Sequence, residues 1–381
     1  MIKRTISDVI KKLLFMRKAI IIYGPRQSGK TTLVRMLIEE LGTSFIELNG
    51  DHADSRQMLE NPDPVKLKSV AAGAKIVFID EAQKIPDIAT AIKIFVDSHP
   101  DLQVIATGSS SFQLMRNTSE SLAGRKFEFN LFPLSFEELV AHSNLIEERR
   151  HLNNRLIYGS HPEIVTRPEL AERILRDLSG SFLFRDILAV DNIRNSVMIE
   201  KLVSALALQT GSEVSSTELA ELTGLDRGTV DKYLRILEQS LIIFKLQAYS
   251  GNKRNEIKKR KKYYFYDNGI LNAVTGNFLP VTARGDAGRL WENYLISERR
   301  KYLMAREIFI NQFFWRTKQQ QEIDYIEETR GTFSAYEFKW NVKSKSAFPE
   351  TFIKNYDVKS AEVINPGNYH GFLWPEKFKE D

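Results

Sequence analysis

AIIIYGPRQSGKTT, residues 19–32, is the stretch that decides how the first part of the chain folds. Its apolar start, Ala19 to Tyr23, favours a buried strand, and a helical pattern begins at Thr31. Between them GPRQSGKT fits the GxxxxGK[ST] loop, in the strand–loop–helix context that this motif requires. Backbone N–H groups of Arg26 to Lys30 and the positive end of the next helix would surround a β-phosphate. An ordinary glycine turn is the alternative, and the joint presence of Lys30 and Thr31 argues against it.

Different residues of this loop are expected to contact different parts of a bound nucleotide. The Lys30 ammonium is expected to bridge oxygens of the β- and γ-phosphates of ATP, and the Thr31 hydroxyl is expected to ligate Mg²⁺. We therefore predict that the nucleotide contacts one continuous segment: Gly24, Pro25, Arg26, Gln27, Ser28, Gly29, Lys30, Thr31 and Thr32.

A second motif, KIVFIDE at residues 75–81, places two acids at the end of an apolar run. In a doubly wound sheet, the carboxyl end of such a strand lies beside the phosphate loop. Asp80 is expected to orient Mg²⁺ and its waters. Glu81 is expected to be the base that polarises the attacking water, a role worth ~10²–10⁴ in rate. Two acids that cap a helix are the alternative.

Three further residues are candidates for contact with the transferred phosphate. The strand LQVIATG, residues 102–108, ends near Thr107 and Ser109, whose hydroxyls could face the γ-phosphate or the water; a plain polar turn is the alternative. Arg125 precedes the segment FEFNLF, and an arginine finger can be worth ~10³–10⁵ in rate. Most surface arginines have no such role, so Arg125 is a hypothesis based on its position in a loop.

Length and composition indicate a multidomain globular protein. The 381 residues exceed the ~250–300 at which one hydrophobic core usually stops growing. The absence of cysteine excludes disulfides, zinc–thiolate sites, iron–sulfur clusters and a cysteine nucleophile. No apolar run approaches the ~18 residues of a membrane span, so we expect a cytoplasmic protein that does not engage a membrane. The net charge of +5 alone is weak evidence for a polyanionic partner.

The pattern of apolar residues changes along the chain. Short β-branched runs separated by helices predict a parallel sheet covered on both faces up to residue 135. A helical stretch follows over residues 136–195. Residues 196–250 show short helices and then an apolar strand, which is typical of a winged helix. Residues 251–381 mix strands and helices.

Two basic features could bind nucleic acid. In the helix GTVDKYLRILEQS, residues 228–240, a polar side is expected to carry Arg227, Thr229, Lys232, Tyr233 and Arg235, as in a helix that enters the major groove. A winged helix used for packing or protein contacts is the alternative, favoured by the acids nearby. A basic run follows, which could clamp phosphates or be merely solvated: Lys253, Arg254, Lys258, Lys259, Arg260, Lys261 and Lys262.

Four residues near the end of the chain could form a carboxylate pocket. Glu337 and Lys339 are two apart on a predicted strand, so they share a face. Asp324 on a neighbouring strand and Glu292 on a helix could complete a site for Mg²⁺, with Lys339 positioning the water. The alternative is an ordinary ion pair between Glu337 and Lys339 on a half-exposed strand.

The motifs together resemble a known family. GPRQSGKTTL, IVFIDEAQKIPD, VIATGSSSF and SLAGRKFEFNLFPLSFEEL occur in the order seen in bacterial and archaeal AAA-type ATPases that carry a C-terminal domain of unknown function with a restriction-endonuclease-like core. The resemblance implies an α/β fold with four parts. These are a P-loop AAA-type ATPase core at 1–135, a helical lid at 136–195, a winged helix at 196–250 and a restriction-endonuclease-like domain at 251–381.

Three functional classes remain open on this reading. The first is a motor or switch ATPase that acts on DNA, the second an ATP-gated, metal-dependent nuclease, and the third a signalling ATPase whose later domains bind only protein. We expect ATP and Mg²⁺ as ligands and DNA as a partner, and we leave a homo-oligomer open. Similarity to a nuclease fold does not by itself imply nuclease activity, because such folds can persist as scaffolds.

Overall fold

The computed structural model describes residues 2–108, 122–182, 196–250, 261–344 and 347–378. The chain divides into two compact units. Of the described residues, the first unit comprises 2–108, 122–134 and Gln239–Leu241. The second comprises Ser135–Phe184, Arg194–Glu238 and Ile242–Asp381. None of the helices in the described ranges has both the length and the apolar character needed to cross a membrane.

A five-stranded parallel sheet forms the centre of the first unit. In spatial order it runs β2, β3, β4, β1 and β5. The strands in chain order are β1 Ala19–Tyr23, β2 Phe45–Asn49, β3 Ile76–Asp80, β4 Gln103–Gly108 and β5 Lys126–Asn130. Every residue of β1, β3 and β4 is buried, as expected for strands covered on both faces.

Helices cover both faces of this sheet, as the sequence predicts. They are α1 Ile6–Leu13, α2 Lys30–Leu41, α3 Ala53–Leu59, α4 Pro64–Ala71 and α5 Ile88–Ser98. Successive residues of β1 point to opposite faces, so Ile20 packs with Leu37 of α2, whereas Ile21 packs with Phe95 of α5. The two apolar layers hold β1 rigidly at the start of the phosphate loop.

The second unit begins with a helical region. Its helices are α6 Phe136–His142, α7 Leu145–Arg150, α8 Leu152–Tyr158, α9 Pro162–Thr166 and α10 Ala171–Asp177. Ser135 and Glu138 form a capping box at the start of α6, which satisfies backbone donors that a helix leaves unpaired. A buried ion pair between Arg155 of α8 and Glu148 of α7 fixes two of these helices together.

The next elements combine helices with three antiparallel strands. They are α11 Ser196–Leu208, β6 Glu213–Val214, α12 Ser216–Thr223, α13 Arg227–Gln239, β7 Ile243–Ala248 and β8 Lys261–Phe265. The strand β8 pairs with both β6 and β7 in antiparallel register. A tight turn at Gly224, with φ of 74°, joins α12 to α13.

The last elements extend the same sheet. They are α14 Asn268–Thr275, α15 Ala287–Ala305, β9 Asn311–Arg316, β10 Glu322–Thr329, β11 Thr332–Phe338, α16 Glu350–Asn355, β12 Asp357–Ile364, α17 Tyr369–Leu373 and α18 Pro375–Phe378. The seven strands run β12, β11, β10, β9, β7, β8 and β6. Because β9 pairs in parallel with β7, the sheet crosses the predicted border at residue 250. Apart from Gln239–Leu241, the described residues of the segments predicted as separate domains at 136–195, 196–250 and 251–381 belong to the second unit.

Candidate functional site

The phosphate loop is fixed by close contacts with its surroundings. A hydrogen bond from Leu131 N to Tyr23 O, 2.6 Å long, joins β1 to the segment after β5 just before the loop begins. A Cβ added to Gly24 would stand 2.3 Å from the Leu131 oxygen, so only glycine fits there. Gly29, with φ of 92°, supplies the left-handed turn from which α2 starts at Lys30.

Three predicted residues meet at the carboxyl ends of neighbouring strands. Asp80 ends β3 and is buried, and its Oδ2 accepts a 2.9 Å hydrogen bond from Thr31 Oγ1. Its Oδ1 accepts a hydrogen bond from Thr107 Oγ1, which lies at the end of β4. The strand order places β3, β4 and β1 side by side, which explains why residues 49 and 76 positions from Thr31 reach one point. Thr31 and Asp80 offer the hard oxygen ligands that Mg²⁺ prefers.

Two of the charged residues assigned to catalysis, Lys30 and Glu81, are next to Thr31 and Asp80 in the sequence. The Lys30 ammonium is buried and donates to Gly24 O at 2.9 Å and Pro25 O at 3.1 Å, so it lies inside the loop. Glu81 has φ of 48°, in the left-handed region, and its Oε2 accepts a 2.6 Å hydrogen bond from Gln83 Nε2. Gln83 therefore holds the carboxylate that we predict to act as the base.

The remaining predicted residues of the loop differ in exposure. Pro25 and Arg26 are partly buried, whereas Gln27 is exposed with φ of 59°. Thr32 lies on the exposed side of α2. Ser28 is buried beneath the loop, and its hydroxyl finds no partner within the described residues. Ser109 lies outside the described ranges.

The structure does not bring Arg125 to this site. Arg125 comes directly before β5, and its carbonyl accepts from Ala19 N at the amino end of β1. The phosphate loop begins at the opposite end of β1, about 15 Å away at ~3.3 Å per residue. The Arg125 guanidinium instead bonds Asp97 at 2.7 Å on the protein surface. Arg125 does lie in a loop, but the strand direction places this loop at the end of β1 opposite to the phosphate loop.

Two residues near the site escaped the sequence analysis. Arg4 is buried and donates to Ser28 O at 2.7 Å and to Phe132 O at 2.6 Å, so it ties the loop to the segment after β5. Gly50 follows β2, and a Cβ there would stand 2.3 Å from Glu81 O. Neither residue belongs to a motif, and an arginine in MIKR near the start of the chain gives no signal that it is buried.

The four residues predicted near the end of the chain belong to one charged cluster in the second unit. Glu292 lies on α15, Asp324 on β10 and Glu337 on β11, and Lys339 donates to Glu337 Oε2 at 2.8 Å. Burial, with repulsion from the Glu292 and Glu337 carboxylates, raises the pKa of Asp324 to about 7. The sheet thus brings together residues that the sequence separates by up to 47 positions.

The expected three-carboxylate metal pocket is not formed in this cluster. Across the described ranges, no group of three acidic, cysteine or histidine side chains could hold a metal ion. Lys262 instead lies among the acids, 2.7 Å from Glu322 Oε1 and 3.4 Å from Glu292 Oε1. Burial opposes the charge of Lys262, but the neighbouring carboxylates outweigh it and raise its pKa.

Two of the residues predicted to contact nucleic acid are buried in the structure. Lys262 is only 2% exposed, so it is unable to act as a phosphate clamp as predicted. Tyr233 is also buried and does not lie on the polar side of α13. Arg227 and Arg235 are exposed on that helix. Lys261 is half-buried, and the rest of the basic run, from Lys253 to Arg260, lies outside the described ranges.

Family comparisons divide the chain into three parts. Residues 16–140 match a family model described as an AAA domain. Residues 149–280 and residues 287–371 match two models described as domains of unknown function, DUF8612 and DUF4143. The first of these two matches crosses the predicted border at residue 250, as the seven-stranded sheet does.

Similar proteins occur in bacteria and archaea. An uncharacterized protein of Mycobacterium tuberculosis is 25% identical over 373 residues, which cover 96% of this chain and 80% of that protein. An uncharacterized protein of Methanocaldococcus jannaschii is 25% identical over 347 residues, covering 85% of this chain and 75% of that protein. Among solved structures, the Walker-type ATPase of Pyrococcus abyssi superposes with a TM-score of 0.47 at 14% identity, covering 71% of this chain and 94% of that chain.

The AAA match includes the phosphate loop, Asp80 with Glu81, and Thr107. The parallel sheet beneath these residues has the strand–loop–helix geometry that the loop motif requires. Residues 16–140 of this chain are therefore similar to an AAA domain and contain a phosphate loop in its required structural context.

Proposed function

We propose that this chain binds ATP with Mg²⁺ and hydrolyses it at the phosphate loop. The observation that carries the proposal is the hydrogen-bonded group of Thr31, Asp80 and Thr107 beside that loop. Thr31 and Asp80 would hold Mg²⁺, which when bound neutralises charge on the phosphate oxygens. Thr107, whose hydroxyl donates a hydrogen bond to Asp80, would act as the sensor of the γ-phosphate.

The other residues act directly on ATP or water. Lys30 would exchange its bonds with Gly24 O and Pro25 O for bonds with the β- and γ-phosphates, which are stronger acceptors because they are charged. Glu81 would accept a proton from the attacking water, with Gln83 holding its second oxygen. An arginine-finger role for Arg125 would require a neighbouring copy in a homo-oligomer, since Arg125 faces away from its own site.

ATP turnover in this protein would act on DNA through the second unit. The order of α11, β6, α12, α13, β7 and β8, with β8 pairing to both other strands, supports a winged helix. Arg227 and Arg235 are exposed on α13, and Asp226 fixes the start of that helix through Thr229 N at 2.9 Å. A rigid helix with exposed arginines fits the major groove of DNA.

The decisive experiment is ATP hydrolysis with and without duplex DNA. We expect DNA to raise the hydrolysis rate, and we expect the double variant Arg227→Ala/Arg235→Ala to lose most of this stimulation while its rate without DNA is unchanged. Arg176→Ala is the matched control, because Arg176 is an exposed arginine on α10, where it pairs with Glu172. If DNA neither binds nor changes the rate, the third class, an ATPase whose second unit binds protein, replaces this proposal.

A further inference from the structure

We propose that the buried ammonium of Lys262 takes the place of a divalent metal ion among the carboxylates of Glu292, Glu322, Asp324 and Glu337. The consequence is a cluster that needs no metal ion and does not serve as the site of a metal-dependent cleavage of nucleic acid. This inference concerns the second unit alone and does not depend on ATP hydrolysis.

The position of Lys262 is the first argument. Lys262 projects from β8, and its ammonium lies 2.7 Å from Glu322 Oε1 of β10 and 3.4 Å from Glu292 Oε1 of α15. It also lies 5.2 Å from the centre of the Phe314 ring of β9, on the side of the sheet that α15 covers. The side chain is 3% exposed. A lysine held from three elements is part of the packed interior, so it does not swing aside as a surface lysine would.

The second argument is that hydrogen-bond donors already engage the acids. Glu292 Oε1 accepts from the Tyr264 hydroxyl at 2.6 Å, and Tyr264 lies on the same face of β8 as Lys262. Asp324 Oδ2 accepts from the backbone N–H of Phe338 at 2.9 Å.

The carboxylates of Glu337 and Glu322 also have positively charged partners. Glu337 Oε2 accepts from Lys339 at 2.8 Å. Glu322 Oε2 lies 3.5 Å from Arg316. A metal ion would have to break several of these contacts before it could gather three carboxylate oxygens around itself.

Charge balance is the third argument. Three cations of the chain, Lys262, Lys339 and Arg316, already offset the negative charge of the cluster. A divalent ion that entered beside the Lys262 ammonium would meet a like charge in a poorly solvated place, where repulsion is strong. Lys262 thus supplies the positive charge at this point of the fold, and it does so permanently.

The test measures how much Mn²⁺ binds to the full-length, nucleotide-free protein. Electron paramagnetic resonance quantifies the Mn²⁺ that remains free in solution. We expect wild type and Asp324→Asn to bind the same amount of Mn²⁺, because the cluster holds no ion in either. Lys262→Met should bind about one more ion per chain, since carboxylates without an ammonium favour a hard cation. The added Mn²⁺ should also raise the melting temperature of Lys262→Met and leave that of wild type unchanged.

Two controls keep the outcomes distinct. Lys245→Met makes the same substitution on β7 at a lysine paired with Glu238, outside the cluster, and should bind no additional ion. The double variant Lys262→Met/Asp324→Asn should lose the ion gained by Lys262→Met. If wild type binds an ion that Asp324→Asn loses, the proposal is overturned, and this comparison stands even if Lys262→Met does not fold. A folded Lys262→Met that binds no more Mn²⁺ than wild type would overturn it equally.

Discussion

Replacing Gly24 by alanine should damage the nucleotide site by crowding alone. The new Cβ would stand 2.3 Å from Leu131 O and 2.8 Å from Ser28 Oγ, distances that real Cβ atoms do not show. Either the Leu131 carbonyl or the loop must move by roughly 1 Å to restore an ordinary contact. The carbonyl is poorly able to move, because Leu131 N is bonded to Tyr23 O at 2.6 Å. The loop should therefore give way.

Overpacking of this kind typically costs ~1–3 kcal/mol. If the loop absorbs the cost, the dissociation constant of ATP should rise by about 5- to 150-fold. We would measure this constant by isothermal titration calorimetry and the free energy of unfolding by urea denaturation. The control is Gly288→Ala in the first turn of α15, where an added Cβ has no neighbour within 4 Å. That variant should bind ATP as wild type does.

An unchanged dissociation constant together with an unchanged urea midpoint in Gly24→Ala would refute the reasoning. It would mean that the loop and the segment after β5 are softer than their hydrogen bonds indicate. Loss of stability without loss of affinity would show that Leu131 moves and that the loop does not.

Two further predictions concern buried charge. Arg4→Met removes the charged donors to Ser28 O and Phe132 O, so the free energy of unfolding in urea should fall by ~1.5–3 kcal/mol for each charged hydrogen bond lost, and ATP affinity should fall with it; full stability in the variant would contradict the assignment. Asp324 has its pKa raised to about 7 from 3.8, so the folded state takes up the proton more readily than the unfolded state. The contribution of Asp324 to stability should therefore be lost as pH rises from about 4 to 7, and Asp324→Asn should lack this decline in urea titrations at pH 5, 6 and 7; identical pH dependence of the two proteins would contradict it.

Much of the first unit follows from local sequence. The run AIIIY, the glycines of the loop and the acids after IVFI each act within a few residues, so the strand–loop–helix element and the position of Asp80 could be predicted. The meeting of Thr31, Asp80 and Thr107 follows from one additional rule, that the carboxyl ends of parallel strands lie on one edge.

The residues that escaped prediction act over long distances in the chain. Arg125 occupies the predicted loop, but only the parallel pairing of β5 with β1 shows that this loop lies at the amino end of the strands. Arg4 contacts a carbonyl 128 positions away. Such contacts depend on packing, which a single sequence does not reveal.

Lys262 illustrates how a charge run can mislead. In the sequence it ends a series of basic residues and looks solvated, yet strand alternation places it on the same face as the buried Tyr264. The acids that form ion pairs with Lys262 are Glu292 and Glu322, which lie 30 and 60 positions further along the chain. The domain border predicted at residue 250 missed the shared sheet for the same reason, because the pairing of β7 with β9 spans the border.

The most direct test of the ATPase assignment is the single-turnover rate of ATP hydrolysis by Glu81→Gln with Mg²⁺. The substitution keeps the size of the side chain and leaves Lys30, Thr31 and Asp80 in place, so ATP should still bind. Without a carboxylate to accept the proton of the attacking water, hydrolysis should slow by ~10²–10⁴ relative to wild type. Hydrolysis by Glu81→Gln at the wild-type rate would show that Glu81 is not the base and would contradict the mechanism proposed for this site.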